Sequence, residues 1–466
     1  MAWRGTRRAW LQQVSAGAAA WSVASGAARA EAAKRPPNIV YILADDLGYG
    51  DLGCYGQTII QTPRLDRMAA EGMRFTQAYA GSTVCAPSRC CLMTGLHSGH
   101  ARVRGNALVP LRPEDVTVAE VLQRAGYRTG LCGKWGLGEP ESTGHPNRKG
   151  FDYFFGYLNQ QHAHNYYPDH LWRNEARVPL PENVQGGKGW AAERAHYSHD
   201  MITEEALEFV SREKEKPFFL YLAYTLPHAN NERGAAKGDG MEIPDYGEYA
   251  DKDWPAPQKG HAAMISRLDR DVGRVLDHLK ALGLNENTIV FFSSDNGTHK
   301  EGGADPDFFK SSGPLRGHKR ALYDGGIRVP LIARWPGYVP AGAVSEHVCA
   351  GWDFLPTAAR LADTDAPEAL DGISMVPELM GRAMAQPKHN VLYWEFHEGG
   401  FKQAVRMGDW KAVRPNAKSP IELYVITRDP GEANNLAAEH PELAARAEAL
   451  FASCRTGSPD WPVPNL

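Results

Sequence analysis

Asn38-Ile39-Val40-Tyr41-Ile42-Leu43-Ala44, followed at once by Asp45-Asp46-Leu47-Gly48, decides the fold class of this chain. An unbroken apolar run rich in β-branched residues, with no polar alternation, predicts a strand buried on both faces. Two further runs share that character. Phe218-Phe219-Leu220-Tyr221-Leu222-Ala223-Tyr224 leads to Pro227-His228, and Thr288-Ile289-Val290-Phe291-Phe292-Ser293 leads to Asp295-Asn296-Gly297. Arg128-Thr129-Gly130-Leu131-Cys132 is a weaker fourth, followed by Lys134. Helical periodicity fills the intervals at 63–71, 116–125 and 262–282. Strands alternating with helices predict an α/β fold with a largely parallel central sheet flanked by helices.

In open sheets of this kind, ligands sit beyond the carboxyl ends of the strands. Asp45, Asp46, Lys134, His228, Asp295 and Asn296 each follow an expected strand, so the fold would gather them at one edge. Asp and Asn also form ordinary turns. Coincidence at several strand ends is the weaker explanation.

Past about residue 366 the pattern changes. Short strands are expected at 391–396, 401–407, Trp410–Arg414 and 421–426, then a helix at 441–452. This predicts a small C-terminal antiparallel sheet plus helix. The expected organisation is a main domain over residues 36–380 and a subdomain over 381–466. Gly- and Pro-rich stretches at 138–150 and 234–258 read as active-site loops.

The 466 residues are 43% hydrophobic and 23% charged, an ordinary soluble composition. A formal net charge of -4 points to neither nucleic acid nor an anionic membrane as partner. No apolar run reaches the roughly eighteen residues of a membrane span, so no stable membrane insertion is expected. Arg4, Arg7 and Arg8, a mildly apolar run and Ala28-Arg29-Ala30 read as a signal peptide over residues 1–30. The twin-arginine pair within it predicts export to the periplasm or beyond. The sequence sets no oligomeric state. Seven cysteines, an odd number, leave at least one thiol unpaired.

The chemistry centres on Cys85-Ala86-Pro87-Ser88-Arg89-Cys90-Cys91-Leu92-Met93-Thr94-Gly95. Pro87 suits a helix start. A helix N-terminus and Arg89 would both favour an anion, so residue chemistry alone suggests a thiolate nucleophile. The competing reading is a buried structural cysteine. Asp45, Asp46, Asp295 and Asn296 offer only oxygen, which suits a hard cation.

The Cys85 run resembles the signature of formylglycine-dependent sulfatases, arylsulfatase A-like members of the alkaline phosphatase superfamily. The resemblance extends to Asp45-Asp46, Gly133-Lys134-Trp135, Pro227-His228, Ser294-Asp295-Asn296-Gly297, and Lys319 with Asp324-Gly325-Gly326. It implies that a maturase converts Cys85 to formylglycine, which attacks the sulfur of a sulfate monoester. It implies a calcium ion, magnesium being second choice, on Asp45, Asp46, Asp295, Asn296 and the modified residue 85. By the same resemblance Asp295 takes a proton and Arg89 holds the nucleophile. Lys134, Lys319 and His228 would grip sulfate, with His228 near the leaving oxygen.

The pattern breaks at one place. Many sulfatases carry histidine where this chain has Gly136. The segment Gln160-Gln161-His162-Ala163-His164-Asn165-Tyr166-Tyr167 offers a replacement: His162 and His164 share a face if it is extended. His299 is a second choice. Arg104, Asn106, His162, His164, Tyr166, Tyr167, Trp172, Trp394 and His397 are candidates to line a substrate pocket, with His162 and His164 also read as substrate-binding. The expected substrate is a sulfated saccharide, with a small aryl or alkyl sulfate next. A phosphoester or phosphonate hydrolase of the same fold and a non-catalytic binder of sulfated glycan are the alternatives.

Overall fold

The strand Asn38–Ala44, β1, is buried along its whole length and lies inside a ten-stranded sheet. In this computed structural model, which describes residues 35–463, the expected leader at 1–30 falls outside the described residues. The other strands of the sheet are β2 (Met73–Phe75), β3 (Arg128–Lys134), β4 (Tyr153–Tyr157), β5 (His170–Arg173), β6 (Ala176–Pro179), β7 (Phe218–Ala223), β8 (Thr288–Ser294), β9 (Leu331–Arg334) and β10 (Ala343–Ser345). Across the sheet they run β10-β2-β9-β8-β1-β7-β3-β4-β5-β6. The segment from β8 to β4 is parallel throughout. Antiparallel pairings flank it on both sides, through β9 and β2 and through β5 and β6.

The pleat explains why β1 is apolar at every position. Ile39, Tyr41 and Leu43 enter the core on one face, and Val40, Ile42 and Ala44 the core on the other. The first core is closed by the helix Cys85–Thr94, the helix Val118–Arg124 and the helix Phe354–Leu361, through Cys90, Cys91, Val121, Leu122 and Leu355. The second is closed by Pro63–Ala70, Ser198–Glu213 and Ala256–Ala281, through Leu65, Met68, Ile202, Ile265 and Leu268. Each large apolar side chain buried this way contributes about 1.5–3 kcal/mol. The helix expected from residue 116 starts at Val118 because Thr117 caps it: its hydroxyl accepts the Glu120 N–H at 3.2 Å, and Glu120 accepts the Thr117 N–H at 2.8 Å.

Near the C-terminus, β11 (Leu392–Phe396), β12 (Lys402–Met407), β13 (Trp410–Arg414) and β14 (Glu422–Val425) form an antiparallel meander. It belongs to the same compact unit as the large sheet. One face sends Trp394 and Val413 into the main core, while Tyr393, Val405 and Leu423 pack against Ala447 and Phe451 of the helix Pro441–Ser453. Lys411 on β13 ties the layers together: its Nζ lies 2.6 Å from Asp324 and 3.0 Å from Glu432, all fully buried. The cysteines form no disulfide.

Candidate active site

Where β1 and β8 end side by side, the chain is stitched into a rigid edge. Asp295 N–H donates to Ala44 O at 3.1 Å, Asp45 N–H to Leu226 O at 3.0 Å, and Asp46 N–H to Asp295 Oδ1 at 3.1 Å. Asp46 takes a left-handed φ of 65°, and its Oδ1 accepts from Asn296 Nδ2 at 2.7 Å. The parallel arrangement thus delivers Asp45, Asp46, Asp295, Asn296 and, after β7, His228 to one place.

Buried cations meet these carboxylates. Arg89, one turn into the helix that starts at Cys85, donates through Nε and Nη2 to Asp295 Oδ2 at 3.0 and 2.8 Å and through Nη1 to Lys134 O at 2.7 Å. Lys134 Nζ lies 2.6 Å from Asp45 Oδ2, and Lys319 Nζ lies 2.8 Å from Asp46 Oδ2. Lys319 also reaches His228 Nε2 and Glu301, both at 3.1 Å. Burial alone would raise the Asp45 and Asp46 carboxyls. Lys134 and His228 around Asp45, and Lys319 and His228 around Asp46, outweigh it and hold both below the usual range. Asp295 goes the other way: burial and the charge of Asp45 lift it to about 7, despite Arg89.

Two oxygens of this cluster, Asp45 Oδ1 and Asn296 Oδ1, are buried without a hydrogen-bond partner. Such orphans are costly unless something else meets them. Asp45, Asp46 and His228 offer ligand atoms within 4.8 Å of one another. An oxygen-rich set with unspent lone pairs fits a hard divalent cation.

Cys85 is buried at the first turn of its helix. Asn106 Oδ1 accepts the Ala86 N–H at 3.1 Å and lies 3.5 Å from the Cys85 sulfur. Burial pushes the thiol up more strongly than Lys134 pulls it down. The thiolate suggested by residue chemistry alone is therefore disfavoured here; desolvation defeats the cationic neighbours.

Residues 37–364 match the family described as Sulfatase, and residues 317–452 match N-sulphoglucosamine sulphohydrolase, C-terminal. This chain belongs to the sulfatase family. Arylsulfatase A of Homo sapiens is 33% identical over 459 residues, which cover 87% of this chain and 84% of that protein. N-acetylgalactosamine-6-sulfatase of Sus scrofa is 33% identical over 411 residues, covering 82% and 72%. Among solved structures, Ps i-CgsB in complex with k-i-k-neocarrahexaose superposes with a TM-score of 0.76 at 29% identity, over 90% of this chain and 92% of that one. Phosphonate monoester hydrolase of Agrobacterium radiobacter, at 22% identity and a TM-score of 0.63, shares the fold. The protein is thus a hydrolase of sulfuric esters.

The departure of this sulfatase at Gly136 has a structural reason. Gly136 adopts φ +87°, and a Cβ there would come within 2.4 Å of Gln160 Nε2. The Gln160 amide fills the space and donates to Gly136 O at 3.2 Å. The histidine segment is not extended, as the shared-face reading required, but a 3-10 turn, His162–His164. With about three residues per turn, residues two apart diverge by about 120°. His164 stacks on His228, with ring centroids 4.8 Å apart. His162 points away and stacks on His170 at 4.3 Å, and burial lowers it to about 4. His299 is also committed: its Nε2 lies 3.2 Å from Pro227 O, and its Nδ1 accepts the Glu301 N–H at 3.1 Å.

Several expected pocket residues are structural instead. Trp394 is buried and donates to Ala80 O at 2.9 Å, and Arg104 is buried on Glu395 at 2.8 Å. His397 lies 3.1 Å from the same Glu395. The Tyr166 hydroxyl lies 2.7 and 2.6 Å from the carbonyl oxygens of Thr225 and His228, bracing the loop that carries His228. Tyr167 packs on Tyr197, and Trp172 edges onto His170. Asn106 alone of the polar candidates touches the Cys85 turn. Glu301, which bridges Lys319 and Arg320, and Glu232, which holds His164, carry no motif and were not singled out from the sequence.

Proposed function

We propose that this sulfatase is exported and hydrolyses a sulfate monoester on a saccharide, with Cys85 converted to formylglycine and calcium held by Asp45, Asp46, Asp295 and Asn296. The observation that carries the reading is the convergence of orphaned buried oxygens, three buried cations and His228 on the turn that starts at Cys85. The substrate class is supported by relatives such as Ps i-CgsB, solved with neocarrahexaose. No helix among the described residues is long and apolar enough to cross a membrane, which is compatible with an exported protein.

Formylglycine at residue 85 supplies the nucleophile toward sulfur, and the cation offsets sulfate charge. The rest falls to this chain's own side chains. Arg89 is fixed on Asp295 and Lys134 O, so it orients residue 85 without rearranging. Lys134 and Lys319, both buried, provide charge for the sulfate oxygens. Asp295, fixed through Oδ2 by Arg89, is the carboxylate assigned to take up a proton as the nucleophile attacks. His228 donates Nδ1–H to Ala229 O at 2.6 Å, which leaves Nε2 beside the Lys319 ammonium. That pair is arranged to pass a proton to the departing alcohol. Burial and Lys319 lower His228 to about 3, so it rests neutral.

Peptide mass spectrometry at position 85 together with a sulfate-release screen over defined sulfated saccharides tests the reading, with an aryl phosphate diester run in parallel. Aldehyde at residue 85 and saccharide sulfate release abolished by Cys85→Ala are expected. An unmodified thiol with full activity, or release only from the phosphate diester, would refute it.

A further inference from the structure

Two imidazoles lie face to face beside the Cys85 site. His164 and His228 have ring centroids 4.8 Å apart and planes only 15° from parallel. Glu232 accepts from His164 Nδ1 at 3.0 Å. Glu232 sits in the first turn of the helix Asn231–Lys237, whose start is pinned by Asn230 Oδ1 accepting the Arg233 N–H at 3.0 Å. A carboxylate on Nδ1 keeps the proton there and leaves a lone pair on Nε2. His228 is arranged the same way, with the Ala229 carbonyl in place of the carboxylate. The two rings differ in what their Nε2 atoms face. His228 Nε2 meets Lys319, whereas no hydrogen bond within the protein engages His164 Nε2 among the described residues, and the His164 side chain keeps 16% exposure.

We propose that the His164–Glu232 pair is a specificity element that accepts a hydrogen bond from a free saccharide hydroxyl adjacent to the scissile sulfate ester. The inference rests on the saccharide sulfatase reading and deepens it. A sulfate held by Lys134, Lys319 and His228 brings its ester oxygen and the first sugar carbons alongside the His228 ring. The next group such a substrate meets is the ring stacked on His228. With Glu232 on Nδ1, the unengaged Nε2 there is the atom that meets a hydroxyl donor. Glu232 behind it places negative charge where a second sulfate would otherwise sit. The favoured class is therefore a hexose unit with one sulfate and a free neighbouring hydroxyl, over a vicinally disulfated unit or a simple alkyl sulfate. Sites built to hydrogen-bond a hydroxyl discriminate strongly against ligands lacking it, because the buried acceptor is left unpaired.

The test is calorimetric binding to the full chain carrying Cys85→Ala, in calcium. The probes are galactose 2-sulfate, galactose 3-sulfate and galactose 4-sulfate, each with a free hydroxyl next to the ester, and, as a hydroxyl-free ester, methyl sulfate. At least one sugar sulfate should bind more tightly than methyl sulfate. Adding His164→Ala should weaken that sugar about tenfold, while methyl sulfate changes by less than about twofold. His164→Gln, which keeps an acceptor, should recover part of the loss, and Glu232→Gln should weaken the sugar in the same direction by a smaller factor. Unchanged methyl sulfate affinity also reports that the variants are folded. Equal weakening of sugar and methyl sulfates, no weakening of either, or a parent with no preference for sugar would overturn the inference. A parent that binds none of the four esters would overturn the proposed function itself.

Discussion

Gly136→His would put back the side chain that many sulfatases carry, and the structure says that this chain cannot accept it without cost. The backbone holds φ at +87°, where a residue with a Cβ loses about 1–2 kcal/mol. The new Cβ also arrives 2.4 Å from Gln160 Nε2, so the amide must leave its bond to Gly136 O. Forcing a side chain into filled space of this kind costs about 1–3 kcal/mol. Together roughly 2–5 kcal/mol of stability should be lost. Urea unfolding of four proteins reads this out: wild type, Gly136→His, Gln160→Ala and the double variant. Gln160→Ala alone should cost within about 1 kcal/mol, since it removes one long hydrogen bond. The double variant should recover about 1–3 kcal/mol relative to Gly136→His, because only the collision is relieved and not the backbone strain. If Gly136→His unfolds at the wild-type midpoint, or if the two substitutions are additive, the view that Gln160 occupies the histidine's place is wrong.

Glu395 is buried, which would raise it, but His397, Arg455 and Arg104 together depress it from 4.5 to about 2. A depressed carboxylate stabilises the fold above its ordinary value and loses that contribution as pH falls toward the folded one, here about 3 kcal/mol between pH 4.5 and 2. Stability profiles of wild type and Glu395→Gln should therefore converge over that interval; parallel profiles would contradict the assignment. Lys411→Met leaves Asp324 and Glu432 buried and facing one another, so it should cost about 3–5 kcal/mol, and adding Asp324→Asn with Glu432→Gln should restore much of it in the same denaturation assay. A cost below about 1 kcal/mol would show that the triad is not the tie between the two sheets. Calcium at a hundredfold excess over its Kd should stabilise the protein by about 2.7 kcal/mol, seen as a rise in unfolding temperature that Asp45→Asn and Asn296→Ala remove. An identical calcium shift in both variants would locate the ion elsewhere.

The sequence by itself determined the sheet's centre. Strands β1, β7 and β8 are buried on both faces, so their residues are apolar without interruption and announce themselves. Their carboxyl ends carry the acidic residues, and the Cys85 motif supplies the family, because both depend on residue type and local spacing. The flanking strands β2, β5, β6, β9 and β10 were not legible: each is only three or four residues long, so packing rather than propensity makes them strands. The helix Ala256–Ala281 begins earlier than periodicity suggested, since Pro257 is tolerated in a first turn. Only the tertiary structure separated His162 from His164, because a 3-10 turn sends them apart and stacks His164 on His228. It alone revealed Glu232, Glu301 and the Gln160 amide beneath Gly136. These residues matter through neighbours distant in sequence, and no local pattern encodes such a meeting.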